Sequence, residues 1–247
     1  VIMSNTSQFD ASASMLGYIY QIRYALYLSL RKLPEIADPE RFNVSIEKLD
    51  DIAFDDDGSP EELLQTKFHG SQGNITDRSS DIWKTVRVWV ESIQSGDISL
   101  GDMVLSLVTT QAVVDGSLAS LLGVGQERDI DKALLIMSNI CEESNQTNSM
   151  GYKAFKGLSD AEKRSFLESV YIVGKSDDLL RVRERLKPIA RQYVPVQAVD
   201  AFINRLEGVW FKWIVEALSQ SPSGAINLGF LQDFVEKIRP EYSHANL

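Results

Sequence analysis

Residues Glu47 to His69 read EKLDDIAFDDDGSPEELLQTKFH, and this stretch decides the predicted fold. Apolar residues alternate with polar ones from Asn43 to Phe54, which is typical of a strand. A second run, from Glu62 to His69, predicts a returning strand. The segment between the two runs, residues 55–60, is dense in Asp, Gly, Ser and Pro, which are the residues that favour tight turns. The stretch therefore predicts two strands joined by an acidic turn.

Helical patterns surround this hairpin. Apolar residues recur every three or four positions over residues 12–32, which predicts a helix before the hairpin. A second helix is expected from Thr76 or Asp77 to about Ile93, and Gly96 is expected to end it. A third strand is expected over residues 103–112. From residue 117 onward the patterns predict helices alone, at 130–144, 159–173, 176–192, 195–219 and 228–238.

This order of elements predicts two domains. The first is an α/β domain over residues 1–115, with a small sheet and helices around it, and the second is a helical domain over residues 116–247. The helical part is expected either to continue the first domain or to pack on it.

Composition narrows the classes of function. The chain has 247 residues and a net charge of −10, which argues against a protein that simply coats DNA, since Lys and Arg drive phosphate binding. One cysteine allows no internal disulfide, and with two histidines it cannot form a structural zinc site. No apolar run approaches the ~20 residues that a membrane helix needs. These features predict a cytoplasmic protein with no membrane partner.

Three polar residues of the hairpin form a candidate site. Because side chains alternate along a strand, Gln65 and Lys67 project to the same face, and a suitable register places Asp51 beside them. Carboxylate and amide oxygens suit Mg²⁺, and a nearby cation suits hydrolysis of a phosphodiester. The alternative is a solvent-exposed hairpin with ordinary surface charges. The three aspartates of the turn, residues 55–57, are assigned to solvent in either case.

Motifs on both sides of the hairpin extend this set in a fixed order. Together they resemble the PD-(D/E)xK endonuclease domain of the bacterial antiphage nucleases linked to CD-NTases. Similar domains belong to Lamassu effectors and to nucleases paired with HerA-type ATPases. The resemblance covers about residues 12–115. Its residues are Gly17, Tyr20 and Gln21 on the first helix; Glu47, Asp50 and Asp51; Gln65, Lys67 and His69; and Thr76 and Trp83.

The resemblance implies a restriction-endonuclease-like core, in which a small mixed sheet is flanked by helices, and it implies a role for each residue. Asp51 would be the main metal ligand. Gln65 stands where many relatives have Glu and would bind the metal through its amide oxygen, with the Thr66 carbonyl as a further ligand. Lys67 would polarise the attacking water and stabilise the developing negative charge. Auxiliary roles fall to Gln21, Glu47 and Asp50.

The function implied is Mg²⁺-dependent or Mn²⁺-dependent cleavage of DNA, with double-stranded DNA as the expected substrate, by an effector of an antiphage system. The expected partners are DNA and either further copies of the chain or a regulatory sensor or ATPase subunit. Additional DNA contacts are assigned to His69, Arg181 and Arg185, although a solvated helix surface also accounts for the two arginines. The rival interpretation is a catalytically degenerate nuclease fold that serves as a scaffold in a defence complex.

Overall fold

The computed structural model describes residues 6–48, 51–69, 73–101, 103–220 and 224–243. The chain forms two compact units, one of residues Val1–Ser59 with Asp177–Leu247 and the other of residues Pro60–Ser176. These units do not follow the expected boundary at residue 115. The division into an α/β domain and a helical domain therefore stays a prediction.

The described residues form both strands and helices, so the fold is of mixed α and β class, as predicted. The helices are α1 Thr6–Lys32, α2 Ser80–Ser95, α3 Leu118–Leu121, α4 Ile130–Ile140, α5 Ser149–Lys156, α6 Asp160–Ser169, α7 Leu179–Ala190, α8 Val199–Gln220 and α9 Leu228–Ile238. The strands are β1 Phe42–Lys48, β2 Asp51–Asp56, β3 Ser59–Lys67, β4 Asn74–Ile75, β5 Val104–Thr109, β6 Ala112–Val113, β7 Val170–Val173 and β8 Ala225–Asn227.

In the first unit, β1 pairs antiparallel with both β2 and β8. The expected single strand over residues 43–54 is therefore wrong, because the chain reverses between β1 and β2. The pairing explains why the sequence hides this reversal. Ile46 lies opposite Ile52 and Val44 opposite Phe54, so the apolar residues keep the same parity across the reversal. The register then shifts between Ile46 and Lys48, which makes a β-bulge at Glu47.

Three helices of the first unit are joined by polar contacts as well as by apolar packing. The Arg23 guanidinium of α1 donates to Glu207 of α8 over 2.6 Å and to the Leu179 carbonyl of α7 over 2.8 Å. The Trp210 indole donates to the Ile22 carbonyl over 2.8 Å. Trp210 is almost fully buried, so this hydrogen bond satisfies its one polar atom inside the core.

In the second unit, β5 lies between β3 and β7 and runs parallel to both. Leu105, Leu107 and Val108 of β5 are all buried. A parallel strand that is covered on both faces reads as a continuous apolar run, and β5 fits that pattern. The unit is thus built around a parallel three-stranded ladder, whose carboxyl ends carry the candidate residues of β3.

The expectation of helices alone after residue 117 is wrong, because β7 and β8 both lie in that part of the chain. Residues 170–173 read VYIV and were expected to end a helix that starts near residue 159. The helix α6 instead stops at Ser169, and the next four residues pair with β5. Periodicity alone does not separate a short apolar strand from a buried helical turn.

For helix α2 the predicted end is correct and the predicted start is wrong. Gly96 ends it in the left-handed conformation, with φ of 84°, as predicted. Its first cap is Ser79, whose hydroxyl accepts from the backbone N–H of Asp81, so the expected start at Thr76 or Asp77 is wrong. None of the helices in the described part of the chain has the length and apolarity needed to cross a membrane.

Candidate functional site at the carboxyl end of β3

The last three residues of β3 are Gln65, Thr66 and Lys67, and all three pair with β5 in parallel register. Gln65 lies opposite Leu107 and Lys67 opposite Thr109. The carboxyl ends of parallel strands are the edge at which open α/β sheets bind their ligands. The structure therefore places these predicted residues on a rigid strand, at the edge where a reacting group is expected.

Gln65 is buried, with 3% of its surface exposed. Its amide oxygen has no hydrogen-bond partner within the residues that the structure describes. A buried carbonyl-type oxygen without a partner costs on the order of 1–3 kcal/mol. This oxygen is consequently the atom in β3 that is best suited to accept a cation or a donor from a bound ligand.

Lys67 projects to the same face of β3 as Gln65, since the two residues are separated by one position. Its side chain is partly exposed. Among the described side chains, no carboxylate forms an ion pair with its ammonium group. This ammonium group thus has no counter-ion among the side chains that the structure describes.

His69 follows β3 and contacts a residue that sequence reasoning missed. Its ring nitrogen Nε2 lies 2.6 Å from a carboxylate oxygen of Asp81, in the first turn of α2. The side chain of His69 is 34% exposed and that of Asp81 is 16% exposed. Asp81 lies twelve residues along the chain, in a segment read only as a helix start, so its sequence position carried no signal for this contact.

The remaining predicted site residues belong to the first unit. The backbone of Asp51 begins β2 opposite Lys48, and Glu47 lies at the bulge of β1, but their side chains lie outside the described part of the structure. Asp50 lies wholly outside it. Gln21 is on α1, where 6% of its surface is exposed. The meeting of Asp51 with Gln65 and Lys67 accordingly stays a prediction.

The three aspartates of the turn do not share one environment. Asp56 and Asp57 face Arg41, at 2.8 Å and 3.1 Å, and Asp57 is exposed as expected. Asp55 is buried, with 5% of its surface exposed, so its assignment to solvent is wrong. Its carboxylate accepts from the side-chain amide of Asn43 and from the backbone N–H of Gly58. Asp55 therefore stabilises the turn from inside.

The two arginines assigned to DNA binding lie on α7, in the first unit. Arg185 pairs with Asp177 at 2.7 Å, and Arg181 lies 3.8 Å from Asp178. Both guanidinium groups are well exposed. Their nearby carboxylates offset part of the positive charge, and a role in binding DNA stays a prediction.

Of the predicted metal ligands, Gln65 is described with its side chain and Asp51 with its backbone alone. The described residues contain no group of three or more His, Cys, Asp or Glu side chains that could hold a metal ion. Mg²⁺ takes about six oxygen ligands and commonly keeps several waters, so it needs few from the protein. The unpartnered oxygen of Gln65 fits such a ligand, and the carboxylate of Asp51 is the second ligand predicted from the sequence.

Cys141 is buried, with 6% of its surface exposed. Burial raises the pKa of its thiol to about 11, because the charged thiolate is poorly solvated there. The thiol therefore stays neutral up to alkaline pH, and the thiolate needed for reaction is scarce at pH 8. We expect Ellman's reagent to label native Cys141 far more slowly than urea-unfolded protein at pH 8. Equal rates would contradict this burial.

No protein-family model matches the chain, and neither does any curated protein. Several solved structures resemble it, and three of them are of an Acinetobacter baumannii Cap4 SAVED/CARF-domain containing receptor. One gives 14% sequence identity and a TM-score of 0.42, over 92% of this chain and 48% of the receptor. The others hold the cyclic trinucleotides 3′3′3′-cAAA and 2′3′3′-cAAA, at 13% identity, with TM-scores of 0.43 and 0.42, over 92% of this chain and 46% and 47% of the receptor.

The chain thus spans about half the length of the receptors that it resembles. At TM-scores below 0.5 and identities below 15%, this likeness assigns neither a function nor a ligand to the chain. Functional inference therefore depends on the residues at the carboxyl end of β3.

Proposed function

We propose that this chain is a metal-dependent DNA endonuclease that hydrolyses phosphodiester bonds in double-stranded DNA, as an effector of bacterial antiphage defence. The observation that carries the proposal is the pair of functional groups at the end of β3. The amide oxygen of Gln65 is buried and has no hydrogen-bond partner within the described residues, and the ammonium group of Lys67 has no described counter-ion. Both residues lie on one face of β3. The amide oxygen suits a cation, and the ammonium group suits the phosphate.

The roles of the protein groups follow from their charge and position. Bound Mg²⁺ or Mn²⁺ would supply Lewis-acid chemistry at the phosphate and at the attacking water. Gln65, the Thr66 carbonyl and Asp51 would hold that ion. The ammonium group of Lys67 would attract the phosphate and stabilise the negative charge that develops on it, an effect that is stronger at a partly buried edge than in water.

The experiment that tests this function is plasmid cleavage in Mg²⁺, with and without EDTA, at several protein concentrations. We expect cleavage that EDTA stops. A steep rise with protein concentration would indicate that active protein is a homo-oligomer, whereas a requirement for a further subunit would indicate control by a sensor or an ATPase. Absence of EDTA-sensitive cleavage under all these conditions would contradict the proposal.

One observation favours the rival role as a non-catalytic scaffold. Phe211, Val215 and Leu218 lie along α8 at helical spacing, and all three are exposed. An apolar stripe of this kind is typical of a surface that binds another protein. The same stripe is compatible with an oligomeric nuclease, so metal binding must decide between the two roles.

Calorimetric titration with Mn²⁺ separates an enzyme from a scaffold. We expect wild-type protein to bind the ion, and we expect Asp51→Asn to reduce the affinity by at least about tenfold, since a charged ligand is replaced by a neutral one. Asp57→Asn is the matched control, because Asp57 is an exposed aspartate that pairs with Arg41. A scaffold would show no binding that depends on Asp51.

A further inference from the structure

Hydrogen bonds to Thr110 hold the chain beyond the end of β3. The backbone N–H of Thr110 donates to the Lys67 carbonyl over 3.3 Å. The His69 N–H in turn donates to the Thr110 hydroxyl over 2.9 Å. His69 therefore lies beside Thr110, directly after the paired ends of β3 and β5.

The contact with Asp81 determines what the imidazole of His69 can do. A carboxylate only accepts hydrogen bonds, so Nε2 carries the proton in the 2.6 Å contact. In the neutral ring the other nitrogen, Nδ1, then holds a lone pair. Within the described residues Nδ1 has no hydrogen-bond partner, and a third of the side chain is exposed. The contact with Asp81 thus favours the tautomer with the proton on Nε2, in which Nδ1 is a proton acceptor.

The proposed hydrolysis needs such an acceptor. The water that attacks phosphorus must lose a proton, and the protonated ammonium group of Lys67 has no lone pair with which to take it. Gln65 is neutral, and its amide oxygen is a very weak base. His69, two residues beyond Lys67 and held to Thr110, supplies the missing group.

Building on the proposed nuclease activity, we infer that Nδ1 of His69 accepts the proton of the attacking water and that Asp81 is the positioning residue for its ring. The water oxygen forms a bond to phosphorus while its proton passes to Nδ1. The bond from phosphorus to the leaving deoxyribose oxygen breaks, and its electron pair stays on that oxygen, which takes a proton from solvent. The imidazolium then returns its proton to solvent.

Few other charges surround His69 on the elements that pack near it. On β3 the neighbouring charge is Lys67, and β5 has no charged residue. On α2 the nearest charged side chain after Asp81 is Lys84, which is exposed. Asp77, before α2, accepts from the backbone N–H of Leu118 over 2.8 Å. Asp81 is therefore the charged group that orients the imidazole.

The test compares kcat for DNA cleavage by wild-type protein, His69→Gln and Asp81→Asn, with DNA affinity measured separately. His69→Gln should lose about 10²–10⁴-fold in kcat, the usual size of general-base catalysis, while DNA affinity is retained. Imidazole added to His69→Gln should restore part of the rate. Lys84→Gln is the control on α2 and should behave as wild type.

Nitrogen-15 NMR of the His69 ring tests the role of Asp81 independently of the cleavage assay. The wild-type ring should show one tautomer with the proton on Nε2, and Asp81→Asn should show a mixture together with a lower kcat. If wild-type protein cleaves DNA and His69→Gln keeps the wild-type rate, the inference is wrong and the nuclease proposal stands. If wild-type protein cleaves no DNA, the nuclease proposal and the inference about His69 are both wrong.

Discussion

Replacing Lys67 with alanine is expected to abolish Mg²⁺-dependent plasmid cleavage and to leave a folded protein. Removing one charge-stabilising group from an active site commonly lowers kcat by about 10²–10³-fold, which puts cleavage below detection in a plasmid assay. The fold should tolerate the change, because Lys67 is the last residue of β3, is partly exposed and forms no ion pair within the described residues.

Two further variants make this result specific. Lys67→Met keeps the length of the side chain and removes only its charge, so it should be as inactive as alanine. Lys153→Ala removes an exposed lysine of α5 in the same unit and should cleave at the wild-type rate. Circular dichroism should show equal helix content for all the proteins. Retained cleavage by Lys67→Ala would contradict the proposal that the Lys67 ammonium group takes part in DNA cleavage.

A large effect on stability is expected from a substitution at Gly151 of α5. A Cβ atom at this position would lie 2.3 Å from the Trp83 carbonyl oxygen and 2.9 Å from its carbonyl carbon. These are backbone atoms of α2 and cannot swing aside, so α5 would have to move away from α2. That movement would disturb the packing of Tyr152 on Trp83. The centroids of these two rings are 4.5 Å apart.

We expect Gly151→Ala to lower the free energy of unfolding by about 1–3 kcal/mol or more, as overpacking does in a close-packed core. Urea denaturation followed by tryptophan fluorescence would measure the change. Gly208→Ala is the matched control, since Gly208 is also helical and a Cβ there meets nothing within 4 Å. It should raise stability by roughly 0.5–1 kcal/mol. Equal effects of the two alanines would contradict the close approach of α2 and α5.

Local signals predicted those elements whose ends are set by neighbouring residues. The helix α9 begins at Leu228 and ends at Ile238 as expected, because Asn227 caps it through its side chain and the apolar period is clear. Gly96 ends α2 for a similar reason, since its left-handed backbone costs glycine little. Such effects act within about one turn of helix, so they can be read from the sequence.

Long-range pairing decided the elements that the sequence misassigned. The four residues of β7 become a strand because β5, some sixty residues earlier, offers unpaired backbone groups to them. The reversal between β1 and β2 is a local error of a different kind: Ile46 pairs with Ile52 only six positions along the chain, and the unbroken parity of the apolar residues conceals the change of direction. Backbone hydrogen bonds between distant segments leave no local signature that periodicity can detect.

The sequence by itself predicted that Gln65 and Lys67 share one face, because alternation is a property of any extended chain. It also placed a helix after them. Only the tertiary structure decided that this helix brings Asp81 to the imidazole of His69 and that Thr110 holds His69 beside the end of β5. These contacts join residues that are twelve and forty-one positions apart along the chain. Their geometry is therefore set by the packing of α2 and the register of β5.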